Sequence, residues 1–578
     1  MFRNREYRTF EKGVHYWLVM VVMNMKMRVC IAVCFFFAGL FAGAGDSSLP
    51  YTVFSPGDPI FEKLRFLVVE SGNSFLSFTP PLSRNEILNI LNDINEESLT
   101  PSSRELYWFI NDALKPKTVY SEGVFSLSAH ILAQPEVHMR TNPDIEFTEK
   151  YSARRTALSF PLNFYFSDRA QVAITPMFSS DPSYYAQDGS YAGTNIPYSD
   201  SHFDMNMPLR AFIAAGGSWW SLQFGRDKIS YGLGRSGNLA LSDNPDYYDF
   251  LRLSVFISDI KYSLLVTQLP LDLGWDNGNY SLIAETKRDI IDPQKDLLNT
   301  TQRYFYLHRL DLRLFKKISV GLSEGIMVGN SAPEIRFLNP FTLFHSFFAW
   351  RDYADWGKDG KGSGIGSLFS LDINWAIVPA LSLYGQFVMN QFAWVTEADD
   401  PTPNALGYLL GMEYTRYSFD VWRTVFYGEF VYTDPYLYTL SSPFASYISM
   451  RRLSPGPKRH LRYMWTGHEE GRDMMLFTLG AAFSKAALSF AFDLSYIARG
   501  EHNSLKWDWT DAPGANTLQT PSGNVEHQIS LGVRSTWKPL EWLGFSGYIG
   551  GVASLNNEHR DGNNQYGAEL GLSVSVMY

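Results

Sequence analysis

Gly232-x-Gly234-x-x-Gly237, within YGLGRSGN (231–238), has the spacing of a loop that cradles a dinucleotide pyrophosphate. That chemistry needs a buried strand before the loop and a helix N-terminus after it, so that backbone N–H groups meet the phosphates. The run that follows, NLALSDNPDYY, carries Asn, Asp and Pro245 and predicts no helix. The glycines therefore read as a means for a long loop to fold back on itself or to let its backbone approach a ligand. Arg226 and Arg235 flank them and are candidates for an anionic group. In WRDYADWGKDGKG (350–362), Trp350, Tyr353 and Trp356 stand among Asp, Arg and Lys, and Tyr436 and Tyr438 lie in a similar setting. Rings stack on the C–H faces of sugars while neighbouring polar groups take the hydroxyls, so this composition suits a carbohydrate. Arg451, Arg452, Lys458, Arg459, His460 and Arg462 form a basic cluster suited to uronate or phosphate groups, or to a solvated loop balanced by Glu469, Glu470 and Asp473.

Catalysis has weak support. Asp399-Asp400 and Glu469-Glu470 are adjacent acids with His460 and His468 nearby, but such pairs in polar loops are ordinarily solvated. No metal spacing such as His-x-Glu-x-x-His occurs, and Ser is too abundant for a nucleophile to be assigned. The expectation is a protein that is not an enzyme and needs no metal or other cofactor.

The elements that must position these residues are set by targeting and by period. Lys26 and Arg28 precede VCIAVCFFFAGLFAGA, which ends in Ala42-Gly43-Ala44, the anatomy of a secretory signal peptide cleaved after Ala44. Residues 1–24 in front of it read as a mis-assigned extension, with translation starting at Met23 or Met25. The only two cysteines, Cys30 and Cys34, lie in that apolar run, so the exported chain has no thiol chemistry. Removing residues 1–44 takes away six basic and two acidic residues and leaves a net charge of about −14, which argues against nucleic acid as a partner.

Residues 57–115 have a helical period: Asp58-Pro59, the capping box Ser83-x-x-Glu86 and Thr100-Pro101 each open an amphipathic helix. After Lys117 the period is two to the end, giving about eighteen candidate strands from 121–137 to 566–578. Short turns (167–169, 216–217, 258–260, 316–318, 484–486) alternate with long polar loops at 181–203, 226–246, 270–303, 330–364, 435–473 and 501–524. In LSLYGQFVMNQF (381–392) and AELGLSVSVMY (568–578), apolar residues alternate with Ser, Gly, Gln or Asn. Alternating faces and alternating connections are the pattern of a transmembrane β-barrel with short periplasmic turns and long outer loops. The terminal Tyr578 fits the signal read by barrel-assembly machinery. The same loop aromatics would also compose an aromatic girdle in contact with outer-membrane lipids.

FGRDKISYGLGRSGNLALSDN (224–244) resembles the Wzi-type capsule-assembly outer-membrane family, which pairs a Gly-Arg with an aromatic-Gly-x-Gly and a Gly-x-Leu-x-Leu-Ser-Asx run. PGDPIFEKLRFLVVESGN (56–73) is similar to that family's N-terminal helix, and RYFYLHRLDLRLFKKISVGLSEG with LNPFTLF to its central strand pair. Tyr231 stands where Trp is expected, and loops 270–303 and 435–473 are long insertions. The resemblance implies an all-β transmembrane barrel of about eighteen antiparallel strands with a small periplasmic α-helical bundle. It also implies a surface lectin that tethers capsular or other surface polysaccharide. The expected divisions are 1–44 (extension and signal), 45–117 (helical bundle) and 118–578 (barrel), in a monomer of the cell outer membrane. The expected ligand residues are Arg226, Tyr231, Arg235, Trp350, Tyr353, Trp356 and Arg452. A porin, a substrate-specific channel or an adhesin is the rival reading.

Overall fold

The computed structural model describes residues 49–146, 148, 154–180, 191–197, 203–204, 209–276, 279–282, 299–329, 332–344, 364–391, 403–419, 421–439, 443–452, 461–503 and 518–578. The signal segment 1–44 lies outside them.

The three expected helices are present. Helix α1 (Pro59–Glu70) starts where the Asp58 carboxylate accepts from Ile60 N–H, with Pro59 in the first turn. Helix α2 (Arg84–Asn92) opens with both halves of the Ser83/Glu86 capping box, and α3 (Pro101–Ala113) opens at Thr100, whose hydroxyl accepts from Ser103 N–H. Each buries an apolar stripe: Ile60, Leu64 and Leu67 of α1, Ile87 and Leu91 of α2, Leu106 and Ile110 of α3. None of the described helices is long and apolar enough to cross a membrane.

An antiparallel sheet of 24 strand segments carries the rest. Along Ala405–Ser418 the alternation is strict: Leu409, Glu413 and Thr415 are buried on one face, while Tyr408, Leu410, Met412 and Tyr414 are exposed on the other. In Leu381–Gln391 the buried set is Ser382, Tyr384, Gln386, Val388 and Asn390. Polar residues are thus buried on the inner face and large apolar ones are exposed outside, the inverse of a water-soluble sheet. The turns at 167–169, 258–260, 316–318 and 484–486 are tight, with left-handed Ser167, Ser258, Lys316 and Ala486. The last strand, Gln565–Met577, pairs with Leu132–Ala133 and Glu136–Arg140 near the start of the sheet.

Two expectations about elements need correction. The strands expected at 121–137, 149–165 and 169–180 are broken into Phe125–Ala129, Leu132–Ala133 and Glu136–Arg140, then Leu158–Ser159 and Leu162–Phe166, then Ala170–Ile174 and Met177–Phe178. Pro135, Pro161 and Pro176 fall in the gaps, each removing a ladder donor. The connections at 270–303 and 435–473 are not plain loops: Leu271–Asp276 pairs with Asn279–Leu282 and Asn299–Thr301, and Ile448–Arg452 with Leu461–Trp465.

The helices fill the concave side of this sheet. Helix α1 packs on α3 and on strands Leu381–Gln391 and Ala405–Ser418. Its apolar residues share one core with inner-face Phe305, Leu307, Met327, Leu368, Val388 and Leu409. The N-terminal segment also reaches the short turns, with Tyr51 N–H donating to Ser167 O (3.1 Å), Ser74 N–H to Lys316 O (2.9 Å) and Ala380 N–H to Val69 O (2.9 Å).

Candidate functional site

The glycine loop folds inward onto the helical segment. Ser230 N–H donates to Pro80 O and Gly232 N–H to Phe78 O, both at 2.9 Å, while Tyr231 pairs with Leu241 across the loop. Gln386 accepts from Leu239 N–H (2.8 Å) and donates to Tyr231 O (3.0 Å), tying the loop to the strand Leu381–Gln391. Gly232 and Gly237 have φ of +127° and +141°, and a Cβ on Gly232 would collide with the Gln386 amide. No helix follows Gly237, so the phosphate-binding geometry is missing.

Beneath the loop lies a buried ionic cluster. Glu413 accepts from Arg65 of α1 at 2.7 Å and from Arg235 at 3.0 and 3.1 Å. Arg235 also reaches Glu62 at 3.2 Å, and its guanidinium lies over the Tyr427 ring. Burial acts to lower the Arg235 pKa, but Glu413 and Glu62 outweigh it and hold the group charged. Glu429 closes the arrangement by accepting from Arg235 N–H (2.8 Å), Ser236 N–H (2.9 Å) and the Tyr384 hydroxyl (2.9 Å).

A second cluster holds α2. Glu86 faces Lys261 at 2.7 Å and Arg252 at 3.5 Å, and Lys261 donates to the Thr79 hydroxyl at 2.8 Å. Burial pushes the Glu86 carboxyl up, yet Lys261 and Arg252 bring it below the usual carboxylate range. In a third, Arg451 joins Asp204 and Asp246, with Arg462 3.6 Å from Asp246.

Two polar cavities border these clusters. One of about 440 Å³ lies between the start of α1 and the glycine loop, lined by Asp58, Glu62, Arg235, Asn244, Tyr427 and Glu469 among others. Another of about 270 Å³ is bordered by Arg154, Arg155, Arg210, Lys228 and Arg451 with Asp204, Asp227 and Asp246. Both are suited to hydroxyl-rich or anionic groups. Glu470 pairs with Arg499 at 2.9 Å, and His468 is buried, its Nδ1 accepting from Glu470 N–H. Among the described residues, no group of three or more His, Cys, Asp or Glu could hold a metal ion.

The expected ligand residues separate. Arg226 ends the strand Trp220–Asp227, makes a two-pronged pair with Asp249 (2.8 Å each) and stacks on Tyr247 at 3.8 Å, a quarter exposed. Tyr231 is fully buried, which pushes its hydroxyl up to about 12, and Arg235 belongs to the ionic cluster. Arg452 ends the strand Ile448–Arg452, paired with Leu461. Trp350, Tyr353 and Trp356 lie outside the described residues, as do Asp399, Asp400, Lys458, Arg459 and His460. Tyr436 and Tyr438 are buried, with the Tyr438 hydroxyl donating to Leu239 O at 2.7 Å.

Sequence reasoning passed over Glu413, Glu429, Arg252 and Lys261. Their signal was available: each is a charge at an inner-face position of an otherwise apolar or small-residue strand. Arg65 and Glu86 on the helices are their complements.

An antiparallel sheet with an apolar exterior and an interior filled by its own N-terminal helices defines an outer-membrane β-barrel protein with an occupied core. The family model described as "Capsule assembly protein Wzi" matches residues 139–566, and the chain belongs to that family. Among solved structures it is similar to Escherichia coli Wzi, described as an outer-membrane protein involved in group 1 capsule assembly and a carbohydrate-binding β-barrel. The identity is 15% and the TM-score 0.54, over 90% of this chain and 98% of that one. Pseudomonas aeruginosa OccK10 matches at 11% identity and TM-score 0.38 over 78% of this chain and 99% of its own. No curated protein sequence matches the chain.

Proposed function

We propose that the chain is a closed barrel whose outer loops hold surface polysaccharide at the cell surface without chemistry. Joining segments across Pro135, Pro161 and Pro176 reduces the 24 to 21; joining Phe125–Ala129 to Leu132–Ala133 as well, and leaving out the short Tyr120–Glu122 and Ala192–Thr194, gives eighteen, and the pairing of Gln565–Met577 with residues 132–140 supports closure. Closure is also what lipid demands, since an open edge could not satisfy its backbone groups there. In this reading residues 45–117 form the periplasmic bundle, 118–578 the barrel, and the exposed Tyr578 the contact for assembly machinery, in a monomer.

The observation that carries the functional reading is the filled interior. Helices enter from the short-turn side and the glycine loop from the other, joined through Glu413, so little room is left for a diffusing solute. A blocked barrel whose outer loops bear aromatic and basic residues is better suited to holding a chain at its surface than to passing solutes. Family membership and the carbohydrate-binding description of the Escherichia coli structure agree with it. Arg226, Trp350, Tyr353, Trp356 and Arg452 are the proposed polysaccharide contacts. Tyr231 and Arg235 hold the glycine loop in place.

The test is retention of extracted surface polysaccharide by cells carrying the intact protein or the Arg226→Ala, Trp356→Ala double variant. Retention should fall with the variant while protein level stays constant. Equal retention by both, with small solutes crossing liposomes that carry the intact protein, would replace this reading with a channel. Deleting 57–115 should raise conductance in planar bilayers if the helices are the block.

A further inference from the structure

Residues 332–344 fold outward, over the sheet's outer face. On the neighbouring strands Arg303–Leu314 and Ile318–Gly329, odd-numbered residues such as Phe305, Leu307 and Met327 join the inner core. Even-numbered Leu310, Leu312 and Leu322 are exposed outside. Tyr306, Ile326 and Val328 share that outer parity yet are buried. They are covered by Phe337 and Phe344, both fully buried, in a small cluster that also takes in Val266 and Ile365 from the flanking strands. Phe337 lies 5.2 Å from the Tyr306 ring and Phe344 4.6 Å from His308, while the two Phe rings meet edge-on at 5.7 Å. Glu334 N–H donates to the Tyr306 hydroxyl at 2.9 Å, and His308 Nε2 to Phe337 O at 2.8 Å. A short strap is thus fastened across four adjacent strands.

The other side of the strap exposes large apolar side chains beside the Glu334–Arg336 ion pair. Ile335, Phe341 and Leu343 are 83%, 91% and 70% exposed. Three large apolar side chains turned away from two buried aromatic anchors are costly in water. Ile318 to Val328 is ten residue steps, which at about 3.3 Å each and a tilt of roughly 40° rise about 25 Å, the height of the apolar band of such a barrel. The strap therefore sits at the outer edge of that band, continuous with the exposed Leu310, Leu312 and Leu322 below it.

We infer that residues 332–344 are a lipid-docking strap that places Ile335, Phe341 and Leu343 among acyl chains at the outer boundary of the membrane. Protein replaces lipid against Tyr306, Ile326 and Val328, and the strap presents a new lipid-facing surface one layer further out. The occupant is lipid because the face is continuous with the barrel's own lipid-facing wall.

The exported chain lacks cysteine, so a single introduced thiol can be labelled in the whole protein. Phe341→Cys and Ile335→Cys, each carrying bimane, are reconstituted in phosphatidylcholine vesicles containing doxyl-labelled acyl chains. Both positions should lose most of their emission, as should Leu310→Cys on the wall, whereas Asp561→Cys in an exposed turn should not. Quenching at Leu310→Cys with none at either strap position overturns the inference. So does self-quenching at the strap that depends on the labelled fraction of protein, which would make the occupant a second copy. If Phe341→Cys does not fold, Ile335→Cys carries the same reading alone.

Discussion

Replacing Glu413 with Gln keeps the volume of the side chain but removes its charge and turns one of its two accepting oxygens into a donor. In the native protein that carboxylate lies 2.7 Å from Arg65 and 3.0 Å from Arg235, with about 1% of its side chain exposed. A charge pair near 4 Å is worth about 4 kcal/mol at an effective dielectric near 20, and breaking a buried pair costs about 3–5 kcal/mol because the partner is left uncompensated. Arg235 keeps Glu62 and the face of Tyr427, whereas Arg65 keeps only the face of Tyr384 among the contacts seen here. The loss should therefore fall mainly on α1. Ejection of the whole helical segment is not expected, since the Glu86–Lys261 pair and the Ser74–Ser319 hydrogen bond remain. At about 1.4 kcal/mol per tenfold, local opening of α1 should become more frequent by roughly two to three orders of magnitude. Amide hydrogen exchange read by mass spectrometry on peptides from 60–70 would show it, with 565–577 as the unaffected reference. Exchange of 60–70 within threefold of the native protein would refute the view that this cluster fastens the helix.

Three further outcomes follow from the same contacts. Because the folded pKa of Glu86 is depressed, its stabilising contribution is complete above the ordinary carboxylate value of 4.5 and is lost as pH falls through the folded value. Bilayer conductance should therefore rise on acidification below that point, and Glu86→Gln should remove part of this dependence. Gly232→Ala forces a side chain into a φ of +127° against Gln386 and should cost roughly 1–3 kcal/mol, lowering the thermal midpoint. Gly57→Ala, at φ +83° with open space around it, should cost less in the same melt. Phe337→Ala removes an outer-face anchor and should destabilise the strap by about 3–5 kcal/mol, seen as faster exchange of 332–344 with the barrel melt little changed.

The starts of the helices were legible to the residue because their signals are local: Asp58, Ser83 and Thr100 act within three positions of themselves. The period of two was equally local, and it separated the two faces of Leu381–Gln391 from the sequence pattern. The breaks at Pro135, Pro161 and Pro176 could have been read by the same rule that forbids Pro in a ladder. The ionic contacts inside the sheet could not, because a water-filled lumen and a filled one ask for the same polar inner face. Glu413 and Arg65 are 348 positions apart, and only the folded chain brings them together.

The G-x-G-x-x-G spacing makes the same distinction sharper. It correctly announced a backbone that must be approached closely, at Gly232 above all, but spacing carries no information about what does the approaching. Here it is Gln386 from the barrel wall and Phe78 from the helical segment, so that of the two readings, a loop folded back on itself or a backbone approached by a ligand, the glycines serve internal packing. The charges on either side divide accordingly. Arg235 lies on the inner side of the loop and is held by Glu413, while Arg226 lies at the strand end with a quarter of its side chain open to solvent. Two arginines nine positions apart in one glycine-rich segment are thus suited to different tasks, one fixing the loop and the other facing outward. Polysaccharide retention should accordingly respond to Arg226→Ala without loss of stability, since an ion pair this exposed contributes only about 0–1 kcal/mol. Arg235→Ala should lower the thermal midpoint first and retention only as its consequence. A variant at Arg235 that lost retention with an unchanged melt would place the ligand inside the barrel and reverse this division.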